Sequence, residues 1–402
     1  MSLRRLRMGV AGLGRAFTLM LPTLAADARV ELVAAADPRH EATQRFAVDF
    51  GARTYATVED LCADAAVEVV YIATPHQHHA AHVAIAARHG KHVLVEKPIA
   101  LTLEQCRGMI DAAKRARVTL IVGHSHSFDR PIARTREIIA GGALGAVRMI
   151  QAQYYTDFLY RPRRPEELMT EQGGGVVFSQ GAHQVDIVRL LGGGCVHSVR
   201  ALTGAWDAKR PTEGAYAALL TFDRGAIATL TYSGNAHFDG DEFCGGIGEL
   251  GRAKPEGGYG AARRNLAQAG DPDTESALKQ RRNYGGAGYA PVATGLAATR
   301  DNAPWHEHFG TIIVSCDHAD LRPLPTGVMI YGDAEARLEP LPKPLIPRTE
   351  VIDELHAAIV DDKPPLHDGC WAMATLEVCL AMLQSARERR DVVLEHQVSV
   401  RA

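Results

Sequence analysis

Short apolar runs alternate with amphipathic stretches through the first third of the chain. Met8-Gly9-Val10-Ala11-Gly12 reads as a strand entering the turn Gly12-Leu13-Gly14-Arg15-Ala16-Phe17, followed by a helix over 18–26 and an apolar strand over 30–36 that ends at Asp37. The same rhythm predicts helices over 41–50, 58–63, 79–89 and 103–115, and strands over 67–73, 92–95 and 118–122. Helices between buried strands give an α/β unit, a doubly wound parallel sheet over residues 1–123. A linking helix over 131–140 and the glycines Gly141, Gly142 and Gly145 mark a crossover, after which the pattern lengthens. Strands are predicted over 147–155, 196–202, 215–222, 226–233, 309–315, 328–331 and 336–339, with Asp223-Arg224-Gly225 as a hairpin turn. Residues 124–402 therefore read as an α+β unit, a mainly antiparallel open sheet with helices on one face.

The strand ends carry the first candidate chemistry. Gly12 permits a tight turn, Gly14 admits a pyrophosphate to the backbone, and the amides of Arg15, Ala16 and Phe17 at the helix start face its charge. Asp37, 23 residues beyond Gly14, stands where a carboxylate meets an adenosine ribose, which favours NAD; Arg39 leaves NADP as the alternative because it could fold over a 2′-phosphate. Phe17 takes the place of the third glycine of the fingerprint, which would set the helix further from the strand. Thr74, Pro75, His76 and His79 after the third strand, and Glu96 and Lys97 after the fourth, fall at the same carboxyl edge. The histidines of 76–82 have no cysteine or carboxylate nearby to complete a metal site, so no metal is expected, and they are read as lining the cofactor edge. His124 and His126 either face the cleft or lie in solvated loop.

Composition narrows the partners. The 402 residues suffice for two domains, and a formal net charge of −3 argues against nucleic acid or an anionic membrane as partner, leaving a small molecule. No apolar run approaches the roughly 18 residues of a membrane helix, and the start leads into a strand rather than a signal peptide. Seven scattered cysteines without CxxC spacing read as reduced thiols in a cytoplasm.

Gly12-x-Gly14, Asp37, Thr74-Pro75-x-x-x-His79 and Glu96-Lys97-Pro98 resemble, in order and spacing, the glucose-fructose oxidoreductase, inositol dehydrogenase and MocA family. That resemblance implies that Lys97 reaches the nicotinamide cleft. A second stretch, three glycines from Gly173 and then Ser179-Gln180-Gly181-Ala182-His183-Gln184-Val185-Asp186, resembles the family's Asp-x-Gly-x-His-x-x-Asp signature. It implies that His183 is the catalytic acid/base beside Lys97, with Ser179 in place of the first aspartate. Asp186 either orients the imidazole or helix start, or is an acid on the helix surface.

Tyr155, Arg161, Arg163 and Arg164 precede these glycines, either as receptors for a substrate carboxylate or as a solvated charged loop. Residues 238–304 form a glycine-rich insertion, read as a long loop serving as a substrate lid or as an arm across an oligomer. The insertion, Ser179, and Asp320-Leu321-Arg322-Pro323 ahead of Gly327 to Asp333 resemble a narrower group, the phthalate cis-dihydrodiol (4,5-dihydroxyphthalate) dehydrogenases. Hydride transfer from a secondary alcohol to NAD(P) is the implied activity. A sugar, inositol or amino-sugar dehydrogenase and a non-catalytic NAD-binding sensor remain the alternatives. The family pairs subunits through its open sheet, which implies a homodimer or homotetramer.

Overall fold

The computed structural model describes residues 4–289 and 303–400, and part of the expected insertion, 290–302, lies outside them. The chain forms two units: 1–124 with 277–299 and 346–373, and 125–276 with 300–345 and 374–402. Where the sequence pattern assigns all of 124–402 to the second unit, residue 124 and two later segments, 277–299 and 346–373, belong to the first.

In the first unit six parallel strands, β1 (Leu6–Ala11), β2 (Val30–Ala36), β3 (Arg53–Tyr55), β4 (Val69–Ile72), β5 (His92–Val95) and β6 (Leu120–Val122), are ordered β3-β2-β1-β4-β5-β6. The order reverses at β1, and the strands' carboxyl ends around that reversal are where such sheets receive ligands. Met8, Val10, Val69, Val70, Val93 and Leu94 have no exposed surface, as expected of a sheet covered on both faces. Local chemistry fixes the helix starts. Thr102 accepts from the Gln105 amide at 3.1 Å and Gln105 answers in a capping box, and Thr57 caps the helix Val58–Ala63 through Asp60. The sequence pattern did not mark β3 or the helix Thr349–Val360, one too short and the other flanked by loop residues.

The second unit holds, among the described residues, a nine-stranded mixed sheet built from β7 (Val147–Tyr155), β8 (Val196–Gly204), β9 (Ala215–Phe222), β10 (Ile227–Ser233), β11 (Thr311–Cys316), β12 (Ala319–Leu324), β13 (Gly327–Gly332), β14 (Ala336–Pro340) and β15 (Val392–Val393). The pairing of β7 with β10 is parallel and the rest are antiparallel. One face carries Ile150, Ala152, Tyr154, Leu230 and Tyr232 under the helix Ala182–Gly192; the other exposes Met149, Leu219, Ile227 and Ile313.

Two expectations change. The insertion is no structureless loop: it contains a 3-10 turn, Gly240–Cys244, and two helices, Ala261–Ala269 and Pro272–Gln280. The helix Gly369–Glu388 is by length and composition apolar enough to cross a membrane, although no such run was anticipated. Its Val378, Cys379 and Met382 have no exposed surface, which marks it as a core helix.

Candidate active site

At the β1 edge the two glycines serve different ends. Gly12 has φ +93°, and a Cβ there would lie 2.9 Å from the Thr74 nitrogen, so the fold itself demands glycine. Gly14 has an ordinary φ of −81°, and its Cβ would meet nothing nearer than the Ala73 oxygen at 4.0 Å. Neither backbone nor packing requires a glycine at 14, but the close approach of a pyrophosphate does. The helix Arg15–Ala26 begins here, three residues earlier than expected, with no side-chain cap and no acid in its first turn. The amides of Arg15, Ala16 and Phe17 are therefore placed to receive an anion. These features fit a dinucleotide.

Asp37 is buried, and its carboxylate accepts from the Leu13 amide at 2.7 Å and from Arg39 through Nε at 3.0 Å and Nη2 at 3.1 Å. Arg39 is thus drawn onto the acid it follows. Phe17 has no exposed surface, its ring standing 5.9 Å from that of Phe46 and 5.3 Å from that of Tyr284. The departure from the glycine fingerprint is a packing residue.

His79 acts as a strut between the cofactor-edge turns. Its Nδ1 lies 3.1 Å from the Pro98 carbonyl and its Nε2 3.0 Å from the Thr74 carbonyl, and burial pushes its pKa down to about 4. Thr74 also reaches His82 through its hydroxyl at 3.0 Å, while Pro75 and His76 are half-buried in the turn between. Glu96 is buried and takes a 2.6 Å hydrogen bond from the Tyr71 hydroxyl; burial raises its pKa against that bond and the neighbouring Lys97 charge. Lys97 follows, half-buried, on a cis Lys97–Pro98 peptide at the carboxyl edge of β5.

In the second unit Gly175 has φ +81°, and a Cβ there would overlap the Glu213 carboxylate at 2.0 Å. Glu213 accepts from the Val177 amide at 3.2 Å and so anchors the π-helical turn Val177–Gly181 that leads into the His183 helix. Ser179 donates its hydroxyl to the Gly175 carbonyl, a structural bond in the position of the family's aspartate. Asp186 is no surface acid: it is buried and accepts from the Ser127 hydroxyl and, at 2.9 Å, from the Thr375 hydroxyl.

His183 is buried in an aromatic enclosure. The Phe309 ring lies 5.1 Å away and the His126 ring 4.7 Å away edge-on, while Tyr154 and Tyr232 stand 5.2 Å and 6.1 Å from Phe309. His124 and His126 are both buried, which removes the solvated-loop alternative. Tyr155 is a correction: strand periodicity turns it to the opposite face, toward Phe238 at 6.1 Å, and Tyr154 is the residue on the Phe309 side.

Insertion residue Glu249, which the sequence did not single out, lies 3.5 Å from His126 Nε2 and 4.0 Å from Arg161 Nη1. Arg161 also sits 3.4 Å from Asp157. Arg163 stacks on the Phe158 ring at 3.6 Å and donates to the Phe158 carbonyl at 2.7 Å, and burial pulls its pKa down to about 10. Arg164 is taken up by Glu166 at 3.1 Å and Glu167 at 3.5 Å. Of the three arginines, Arg161 is the one adjoining the His126–Glu249 pair.

His126 donates from Nδ1 to Asp129 at 2.7 Å. Burial disfavours its charge, but Asp129 and then Glu249 outweigh that and push the pKa up to about 9. His126, Asp129 and Glu307 bring one ligand atom each within 4.8 Å of one another, a grouping that could hold a metal ion and that the sequence did not single out. The charge also links to stability. Free His titrates near 6.5, so the stabilisation is fully present below that value and lost as pH rises through about 9. The melting temperature is expected to fall between pH 6.5 and pH 9.5, and less steeply in His126→Gln; equal slopes would contradict this.

Comparison with known proteins agrees with this geometry. Residues 6–124 match a family model described as an oxidoreductase family with an NAD-binding Rossmann fold, and residues 132–254 match the GFO/IDH/MocA C-terminal domain. The chain is 49% identical, over 95% of both chains, to a 1-carboxy-3-chloro-3,4-dihydroxycyclohexa-1,5-diene dehydrogenase of Comamonas testosteroni. A crystal structure from Bordetella bronchiseptica RB50, described only provisionally as a dehydrogenase, superposes with a TM-score of 0.90 at 41% identity, covering 97% of this chain and all of that one. The WlbA dehydrogenase of Bordetella pertussis, solved with NADH and UDP-GlcNAcA, shares the fold at 20% identity and a TM-score of 0.68, covering 98% of this chain and 99% of that one.

Proposed function

This chain belongs to the GFO/IDH/MocA oxidoreductase family of NAD(P)-dependent dehydrogenases, and from that premise we propose that it oxidises a carboxylated dihydroxycyclohexadiene to a catechol. The observation that carries the substrate class is the 49% identity, over 95% of both chains, to the Comamonas testosteroni enzyme whose name specifies a carboxylated dihydroxycyclohexadiene. Bound NAD+ supplies the acceptor for the hydride. Gly14 and the amides of Arg15, Ala16 and Phe17 would hold its pyrophosphate, and Asp37 would accept from its ribose.

In this reading His183 takes the hydroxyl proton as the carbinol C–H leaves as hydride, and the Lys97 ammonium donates a hydrogen bond to the oxygen as charge develops on it. Arg161 binds the substrate carboxylate. For a diol with a hydrogen on each carbinol carbon, the product is a hydroxycyclohexadienone. Loss of the remaining ring proton and protonation of the ketone oxygen give the catechol, and aromatisation makes the oxidation effectively irreversible. Phe309 and Tyr232, with near-parallel rings, and Tyr154, edge-on to both, give an aromatic surrounding suited to a planar ring rather than a polyol.

The test is a hydride-transfer screen by NADH absorbance. Carboxylated cis-dihydrodiols should be oxidised and sugars, inositols and amino sugars left untouched; the reverse result would move the chain to the polyol branch of the family, and silence with every alcohol would favour a sensor. We also propose that the reaction runs in the cytoplasm, in a homodimer or homotetramer joined through the exposed sheet face of Leu219 and Ile313, 42% and 37% exposed. Light scattering should then give a multiple of the chain mass that Leu219→Arg with Ile313→Arg reduces; an unchanged mass in that variant would reject this face.

A further inference from the structure

The glycine-rich insertion reaches the coenzyme site of its own chain. Tyr284 has no exposed surface: its ring packs against Phe17 and, at 6.1 Å, Phe46, its hydroxyl donates to Asp49 at 2.6 Å, and its amide donates to the Leu13 carbonyl at 3.2 Å. At Gly285, with φ +75°, a Cβ would lie 3.4 Å from Ala42 Cα, so the segment runs directly along the start of the helix His40–Phe50.

The Tyr284 carbonyl accepts from Arg39 Nη1 at 3.3 Å. The same guanidinium donates through Nη2 to the Leu13 carbonyl at 2.8 Å and to Asp37 at 3.1 Å, and through Nε to Asp37 at 3.0 Å. A guanidinium has five N–H donors, and these contacts use four. A 2′-phosphate is recognised by a fork of two parallel donors, and one spare N–H cannot make that fork.

We infer that the Tyr284 segment of the insertion is a positioning element for coenzyme choice: it holds Arg39 on Asp37 and so sets NAD over NADP. Arg39, the cation otherwise suited to a 2′-phosphate, is spent on the chain itself. A 2′-phosphate would have to strip it from two carbonyls and a carboxylate, and would then face that carboxylate. The ribose diol of NAD needs only an acceptor, and of the two side-chain bonds from Arg39 to Asp37 the one from Nη2, at 3.1 Å, is the longer and yields to it.

Equilibrium titration of the full chain with NAD+ and with NADP+, followed by calorimetry, tests this without reference to substrate. Tyr284→Ala should tighten NADP+ by about tenfold relative to NAD+, as expected for one charge-assisted interaction gained. Arg39→Ala alone should leave NADP+ affinity within about twofold, and in that background the gain from Tyr284→Ala should vanish. The inference fails if Arg39→Ala weakens NADP+ by about tenfold, because the guanidinium would then already serve the phosphate. It fails equally if Tyr284→Ala leaves the ratio unmoved, or if its gain survives without Arg39. Should Tyr284→Ala not fold, Tyr284→Phe removes only the hydroxyl that donates to Asp49, where Asp49→Ala would also break the Arg45 pair; the same direction is expected for Tyr284→Phe, and an unmoved ratio overturns the inference.

Discussion

Replacing His183 with alanine, or Lys97 with alanine, is expected to lower turnover by about a hundredfold or more while NAD+ still binds. In the proposed acid/base role His183 works from the turn Val177–Gly181, anchored by Glu213, which delivers it into an aromatic enclosure with Phe309 and His126 at 5.1 and 4.7 Å. Deleting it leaves the hydroxyl proton without a base as the hydride departs, and a positioned base contributes about two to four orders of magnitude. The lysine acts differently. Its ammonium offers a donor to an oxygen that gains charge only as the bond changes, so its loss should appear in kcat more than in KM. Neither residue belongs to the Gly12 turn or the Asp37–Arg39 pair, so calorimetric NAD+ affinity should match the parent chain. Parental turnover in both variants would remove these roles.

Arg161→Ala should reduce kcat/KM for a carboxylated dihydrodiol by roughly ten- to a hundredfold, the loss expected of a charge-assisted pair. The same variant should handle the uncharged analogue, the ring without its carboxylate, nearly as the parent does. Arg161 is favoured over its neighbours because Arg164 is consumed by Glu166 and Glu167, and Arg163 is committed to the Phe158 ring and carbonyl. Its contacts with Asp157 and Glu249, at 3.4 and 4.0 Å, are loose enough to yield to a substrate anion. Equal losses on both substrates would mean that Arg161 supports the His126–Glu249 pair instead of binding a carboxylate. Arg161→Lys should recover only part of the activity, since an ammonium lacks the planar fork.

Much of the site was legible because its signals are local. The separation of Gly12 from Asp37 and the strand-end positions of Thr74 and Lys97 follow from one βα rhythm, which residue periodicity reveals. Tyr155 shows the limit of proximity in sequence: it adjoins the right residue but, one step along a strand, faces the other side of the sheet. Ser179 and Asp186 show another. Their places in a family motif left their partners open, and the structure supplies them: Ser179 donates to the Gly175 carbonyl, and Asp186 accepts from Ser127 and Thr375.

The chain's own pattern determined the two sheet types, the glycine turn and the residues at the carboxyl edge, because strand alternation, helix periodicity and turn chemistry act over a few neighbouring residues. Only the tertiary structure decided that Glu249 adjoins His126, that Phe309 walls His183, and that Tyr284 fastens Arg39 from 245 positions away. Loop closure costs only slowly more as the intervening chain lengthens, so a long insertion is free to return almost anywhere. Where it returns is fixed by packing, here the buried Tyr284 ring between Phe17 and Phe46, and packing partners leave no periodic trace in the sequence.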